Sequence, residues 1–207
     1  MLGFNKILVI NTGLGNIGSV LNALKHLGFE CLLVSNYFQE DVDINSFKGF
    51  ILPGVGSFSA GIKSLRSARL DILINKLVEA EVPGIGICLG MQMMVNTSEE
   101  SEFGEKGLGL FDGKVIKLPN NVEPVPHIGW SKTSSLSTEN ILYDLMNNDF
   151  YYIHSYAVKL DKSSEEIATF EHGGNNYVSA IYKPRLLGVQ FHPEKSQEKG
   201  LEIFNRF

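Results

Sequence analysis

Apolar residues in the first half of the chain occur in short uninterrupted runs, separated by segments with helical spacing. The runs predict buried strands at residues 6–11, 30–34, 49–52 and 84–88. Between them, apolar positions recur three and four residues apart and predict helices at residues 17–27, 70–80 and 91–97. Short apolar strands alternating with helices are typical of a parallel sheet that is covered on both faces.

The second half has more strands and fewer helices. Runs rich in β-branched and aromatic residues, joined by Gly, Asn and Pro, predict strands at residues 113–118, 151–158, 167–171, 177–182 and 187–191. Helical spacing is confined to residues 140–146 and 198–207. Without repeats or linkers, the pattern predicts one α/β domain over residues 1–207. Its central sheet is expected to be mostly parallel, flanked by helices and extended by antiparallel strands.

Length, charge and cysteine content exclude several classes of protein. A chain of 207 residues can bury a core without metals or disulfides, and its net charge of -5 argues against a nucleic-acid ligand. The two cysteines, Cys31 and Cys88, fit a reducing compartment. The least polar window, residues 84–95, is shorter than the roughly 20 residues that a membrane span needs. The first residues lack the features of a signal peptide. We therefore expect a cytoplasmic protein that binds no membrane.

Residues 86–90 read G-x-C-x-G between a predicted strand and a predicted helix. This is the pattern of a nucleophile elbow with cysteine in place of serine. A sharp turn there lifts the side chain of Cys88 above the sheet, and the start of the helix favours negative charge on its sulfur. The N–H of Leu89 is placed to stabilise an oxyanion. A buried structural cysteine between two packing glycines is the alternative.

A base for Cys88 is offered by the segment that follows the last predicted strand. His192 and Glu194 are two residues apart, with Pro193 between them, so both side chains can face the same side of an extended segment. Glu194 could then accept a hydrogen bond from one imidazole nitrogen and orient the ring. An ordinary surface turn after a strand is the competing interpretation.

Two glycine-rich segments also follow predicted strands. Residues 53–56 (Pro-Gly-Val-Gly) could direct backbone N–H groups toward an oxyanion or a substrate carboxylate, or be a plain turn. Residues 13–18 form a G-x-G-x-x-G pattern typical of dinucleotide binding. The second strand, however, ends at Val34 without the acidic residue that binds ribose, which disfavours a nucleotide site.

The remaining candidates for chemistry are histidines. Cys88, His192 and Glu194 could ligate zinc, but no ligand spacing supports a metal site, so none is predicted. His127 and His154 fit the wall of a core or pocket better than a catalytic role.

Taken together, the motifs at residues 53–56, 86–92 and 188–196 resemble the class I glutamine amidotransferases. Shorter matches at residues 107–110, 127–130 and 152–156 extend the likeness over nearly the whole chain. Within the family, the likeness is closest to the glutaminase subunits that serve imidazole glycerol phosphate synthesis in histidine biosynthesis.

The resemblance implies a flavodoxin-like architecture and a Cys-His-Glu triad. Cys88 would be the nucleophile, His192 the general base and then acid, and Glu194 the residue that orients it. L-Glutamine would be hydrolysed to glutamate without a cofactor, and ammonia would pass to a separate (β/α)8-barrel cyclase subunit in a heterodimer. The residues that it implies for the oxyanion and for glutamine are Gly54, Val55, Gly56, Leu89, Gln92, His154, Ser155 and Tyr156. Those implied for the partner interface are Asn11, Asn16, Trp130 and Lys195.

Some positions depart from the family's usual pattern. Asn11-Thr12 replaces Asp-Tyr, Ser131 replaces the Asn that usually follows Trp130, and Ala157 replaces an aromatic residue. These departures are also compatible with an alternative, a paralogous subunit that supplies ammonia for the amination or amidination of a surface-polysaccharide sugar. A stand-alone γ-glutamyl cysteine hydrolase is a further alternative. Because Glu194 lies close to the last residue of the sequence, we expect the synthase site on a separate chain.

Overall fold

The computed structural model describes residues 5–38, 42–101, 103–136 and 142–206. Its strands are β1 (Lys6–Ile10), β2 (Glu30–Val34), β3 (Gly49–Gly54), β4 (Gly84–Cys88), β5 (Thr97–Ser98), β6 (Gly113–Lys117), β7 (His127–Ser135), β8 (Asp149–His154), β9 (Tyr156–Leu160), β10 (Glu166–His172), β11 (Asn175–Lys183) and β12 (Leu186–Val189). Its helices are α1 (Ile17–His26), α2 (Phe58–Ser67), α3 (Leu70–Glu79), α4 (Leu89–Met93), α5 (Tyr143–Met146) and α6 (Gln197–Arg206).

One large sheet runs through the molecule in the strand order β2-β1-β3-β4-β12-β11-β10-β7-β8. The strands from β2 to β12 are parallel, and those from β12 to β8 pair antiparallel. A small second sheet has the order β5-β6-β9. The expected α/β class is confirmed, and the antiparallel strands form one continuous half of the sheet.

The parallel half is buried on both faces. Leu8 and Ile10 of β1 pack into the cluster that contains α2 and α3, whereas Ile7 and Val9 face the cluster that contains α1 and α6. Successive side chains of a strand point to opposite faces, so a strand covered by helices on both sides must be apolar throughout. This requirement explains the uninterrupted apolar runs in the sequence.

The structure departs from the prediction in both halves of the chain. Residues 151–158, predicted as one strand, divide at Ser155 into β8 of the large sheet and β9 of the small sheet. Strand β7 and helix α2 were not predicted. The predicted helices at 140–146 and 198–207 correspond to α5 and α6, and the parts at residues 140–141 and 207 lie outside the described residues. Within the described ranges, no helix is long and apolar enough to cross a membrane.

Candidate active site

Cys88 lies at the junction of β4 and α4, in a backbone conformation that side chains rarely adopt. Its φ and ψ are 54° and -110°. Such strain persists only where the surroundings enforce it, and it is typical of functional turns. The flanking glycines enforce it by close packing. A Cβ at Gly90 would lie 1.8 Å from the carbonyl oxygen of Leu52, and one at Gly86 would lie 2.9 Å from the backbone N of Met91.

His192 and Glu194 lie just after β12, around a short 3₁₀ turn at Pro193–Lys195. The Nδ1 of His192 donates a hydrogen bond of 2.8 Å to Oε1 of Glu194, and both side chains are almost fully buried. Ser196 fixes the segment, because its hydroxyl donates to the carbonyl of His192 and accepts from the N–H of Tyr151. The pair is therefore a rigid, water-excluded unit.

The second nitrogen of the imidazole ring faces Cys88. Within the described ranges, Nε2 of His192 is buried and makes no hydrogen bond of regular geometry. Burial lowers the pKa of His192, but the interactions with Cys88 and then with Glu194 outweigh that effect and raise the pKa to about 10. The ring is therefore disposed to hold a proton next to the sulfur at neutral pH.

Two glutamine side chains form a short chain of hydrogen bonds that ends at the sulfur of Cys88. Gln190 donates from Nε2 to Sγ of Cys88 at 3.7 Å. Gln92 donates from its Nε2 to Oε1 of Gln190 at 3.1 Å and to the carbonyl of Tyr156 at 2.8 Å. Both N–H groups of the Gln92 side chain therefore donate hydrogen bonds within the protein. Gln190 lies within the 188–196 motif, but its sequence position gives no signal that its side chain contacts Cys88.

A cavity of about 220 Å³ opens beside Cys88. This volume is below the range typical of drug-sized ligands and suits a small metabolite. Its lining residues are Val55, Gly56, Cys88, Leu89, Gln92, Glu100, Pro126, Ile153, His154, Ser155 and Tyr156. The structure thus brings seven of the eight residues implied for glutamine and the oxyanion to one cavity. Their roles remain predictions.

Gly54 is the exception, because it lies behind the cavity wall. It pairs in register with Cys88 across β3 and β4, and a Cβ on it would lie 3.1 Å from Cβ of Leu89. The glycine-rich loop at residues 13–18 packs against the same turn, since a Cβ on Gly15 would lie 3.5 Å from the N of Val55. This contact gives the loop a packing role.

Glu100 is a lining residue that the sequence reasoning missed. Its Oε2 accepts a hydrogen bond of 2.7 Å from the N–H of Phe58, the first residue of α2. It is the one acidic residue among the described residues that line the cavity. Its place just after β5 in an acidic stretch could have suggested it, but acidic stretches are usually solvated surface.

The residues predicted for the partner interface fall into two groups. Trp130 is 50% exposed on β7, its ring packs edge-on against Tyr151, and Lys195 lies over the Tyr151 ring. Asn11 and Asn16 make local hydrogen bonds, and their place at a partner interface stays a prediction. Asn11 donates to Ser35 and accepts from the N–H of Gly13, and Asn16 caps α1.

Metal binding has no structural support in the part of the chain that the structure describes. No group of three or more His, Cys, Asp or Glu side chains there is placed to hold a metal ion.

The chain is similar to known proteins over nearly its whole length. Residues 8–207 match the family described as glutamine amidotransferase class-I. The chain is 41% identical to an imidazole glycerol phosphate synthase subunit HisH 2 of Vibrio vulnificus, covering 98% of this chain and 93% of that one. It is 38% identical to a protein of the same name from Methanococcus maripaludis, covering 97% and 98%.

The fold is also found among solved structures. PurLQS from Thermotoga maritima matches with a TM-score of 0.75 and 17% identity, covering 97% of this chain and 96% of that one. At this identity the match concerns the fold alone.

Proposed function

The chain belongs to the class I glutamine amidotransferase family, and on this premise we propose that it is the glutaminase subunit of an imidazole glycerol phosphate synthase in histidine biosynthesis. It would hydrolyse L-glutamine to L-glutamate and deliver the ammonia to a partner subunit. The observation that carries the proposal is the buried Cys88-His192-Glu194 arrangement next to a small cavity.

The first half of the reaction forms a thioester. Glu194 holds the Nδ1 proton of His192, so that Nε2 takes the proton of the Cys88 thiol. The sulfur then attacks the side-chain amide carbon of glutamine. The N–H of Leu89 and those of the turn at Val55 and Gly56 would stabilise the resulting oxyanion. As the C–N bond breaks, Nε2 returns its proton to the nitrogen, which leaves as ammonia.

The second half releases glutamate. Water attacks the thioester while Nε2 of His192 accepts its proton. The C–S bond then breaks, and the proton is again held between Nε2 of His192 and the sulfur of Cys88. One glutamine and one water have become one glutamate and one ammonia, and the enzyme returns to its starting state without a cofactor.

The cavity carries the groups needed to recognise the amino-acid end of glutamine. Glu100 contributes a carboxylate that would bind the α-ammonium group. Since both N–H groups of Gln92 are used by Tyr156 and Gln190, its Oε1 is the group left to face the substrate. Ser155 is a further polar residue of the cavity wall.

An apolar surface beside the cavity would be the docking site of the partner. Ile128 and Trp130 of β7 and Ile153 of β8 are 57%, 50% and 38% exposed, and the register pairs Ile128 with Ile153. Contiguous exposed apolar residues mark interaction surfaces. Because Val55 and Ile153 belong both to the cavity lining and to the exposed apolar residues, a docked subunit would cover the exit for ammonia. We propose a (β/α)8-barrel cyclase as that subunit.

The test separates ammonia production from its use. With the cyclase partner present, Cys88→Ala should abolish synthesis of imidazole glycerol phosphate from glutamine but preserve synthesis from added ammonium salt. Cys31→Ala, which changes the other cysteine of the chain, is the matched control and should retain both activities. Glutamine-dependent synthesis by Cys88→Ala would overturn the assignment. Stimulation by a sugar-modifying partner instead of the cyclase would replace the histidine pathway with the surface-sugar alternative.

A further inference from the structure

A chain of hydrogen bonds leads from the β7–β8 hairpin into the wall of the cavity. The hydroxyl of Ser131 lies 2.8 Å from Nε2 of His127, and Nδ1 of His127 lies 3.3 Å from Nε2 of His154. The remaining nitrogen of His154, Nδ1, lies 2.8 Å from the carbonyl oxygen of Tyr156. That same oxygen accepts from Gln92, whose other N–H reaches the glutamine that supports the sulfur.

The carbonyl of Tyr156 determines the direction of every bond in this chain. A carbonyl oxygen only accepts, so Nδ1 of His154 must carry a proton. Burial lowers the pKa of His154 to about 3 and also lowers that of His127, and both rings are therefore neutral at physiological pH. A neutral ring has one N–H, so Nε2 of His154 accepts from Nδ1 of His127. The Nε2 of His127 must then accept from the hydroxyl of Ser131.

We propose that Ser131 and His127 are positioning residues for glutamine binding. Through His154 they hold the carbonyl of Tyr156, and with it the side chain of Gln92, in the wall of the cavity. The proposal rests on the proposed function of this cavity. It assigns a role to Ser131, which lies next to the exposed Trp130 and touches neither the cavity nor the sulfur.

The local backbone makes the first bond possible. Residues four apart in a regular strand are separated by roughly 13 Å. Here Gly129 lies between Ser131 and His127 with φ of 136°, a conformation that L side chains rarely adopt. The departure from regular strand geometry lets the hydroxyl of Ser131 reach back to the His127 ring. The ring is also held by stacking on Tyr152 and Phe170.

Removing the hydroxyl should affect binding more than chemistry. In Ser131→Ala, Nε2 of His127 loses its donor, and the rings of His127 and His154 gain freedom to shift. Gln92 would then no longer be held in one orientation. A lost hydrogen bond of this kind corresponds to a rise in the KM for glutamine of roughly three- to tenfold, with kcat nearly unchanged.

The experiment compares three variants of the full chain, assayed with the partner subunit. Ser131→Ala should raise KM, and Ser131→Thr, which keeps a hydroxyl, should restore it. Ser134→Ala removes an exposed hydroxyl from the same strand and should match the wild type. In parallel, NMR of the unpartnered chain follows the Nδ1 proton of His127 and the side-chain amide of Gln92. Both signals should shift in Ser131→Ala and remain in place in Ser131→Thr.

The outcomes separate this proposal from the proposed function. An unchanged KM in Ser131→Ala, a Thr variant as impaired as the Ala variant, or unmoved amide signals of Gln92 would each overturn the positioning role. If the wild-type complex does not hydrolyse glutamine, the proposed function fails, whereas the NMR signals still report whether Ser131 positions Gln92.

Discussion

The sulfur of Cys88 lies 3.8 Å from the carbonyl oxygen of Ile153, a residue that is 38% exposed at the surface. One residue of β8 therefore contacts the nucleophile through its backbone and the surface through its side chain. Its neighbour across the strands is Ile128, and two positions further along the strands Trp130 pairs with Tyr151. A protein that docks on this hairpin would press on the strand that contacts the sulfur.

Trp130→Ala should weaken the complex with the partner subunit. Trp130 is half exposed, and tryptophan is the residue most often found to dominate interface energetics. We expect the Kd to rise roughly 10- to 100-fold. Isothermal titration calorimetry with the partner measures the change.

Leu33→Ala is the control for that experiment, since Leu33 is 42% exposed on β2, at the other edge of the sheet. Its Kd should equal that of the wild type. If Trp130→Ala also binds with wild-type affinity, the partner docks elsewhere.

Glu194→Gln should leave the fold intact and remove most of the activity. The carboxylate of Glu194 accepts the Nδ1 proton of His192, and an amide in its place could present an N–H and favour the wrong tautomer. A loss in kcat on the order of 10³- to 10⁴-fold is expected, measured as glutamate released from glutamine with the partner present. Glu198→Gln, an exposed change at the start of α6, serves as the control. A Glu194→Gln variant with more than a tenth of wild-type kcat would contradict the orienting role.

The positions of the nucleophile and its base could be predicted because each depends on local sequence. Cys88 lies between two glycines that the backbone needs for close packing, and His192 and Glu194 are joined by one residue. Local spacing therefore determined much of the geometry. What spacing could not give was that the two segments meet, which depends on the parallel pairing of β4 with β12.

Strand β7 was not predicted because its large apolar residues are exposed, the reverse of the usual arrangement in a strand. Ile128 and Trp130, the large apolar residues, point outward, whereas His127 and Ser131 point toward other polar groups. Apolar periodicity assumes that the apolar side is the buried one, an assumption that fails for a surface that a partner would cover. The break at Ser155 was not predicted because residues 151–158 read as one continuous strand in the sequence, although β8 and β9 belong to different sheets.

Stability should depend on pH through His192. Its pKa in the folded chain is raised to about 10, above the value of roughly 6.5 for an unfolded histidine. The folded state therefore binds the proton more tightly, and the stabilisation is complete below about pH 6.5 and lost as the pH rises toward 10. Urea unfolding of the wild type and of His192→Gln at several pH values isolates this contribution. The difference in unfolding free energy should shrink between pH 7 and 10, and parallel curves would contradict the raised pKa.

Gly90→Ala should destabilise the fold, because the new Cβ would lie 1.8 Å from the carbonyl oxygen of Leu52 and the backbone of β3 cannot move away freely. The cost is on the order of 3 kcal/mol in the free energy of unfolding. Gly18→Ala is the matched control in α1, where the nearest atom to the new Cβ is 3.7 Å away, and its effect should stay within about 1 kcal/mol. Chemical denaturation measures both variants. Equal stabilities for the two would mean that the turn at Cys88 has room for a side chain, and the strained conformation of the nucleophile would then need another cause.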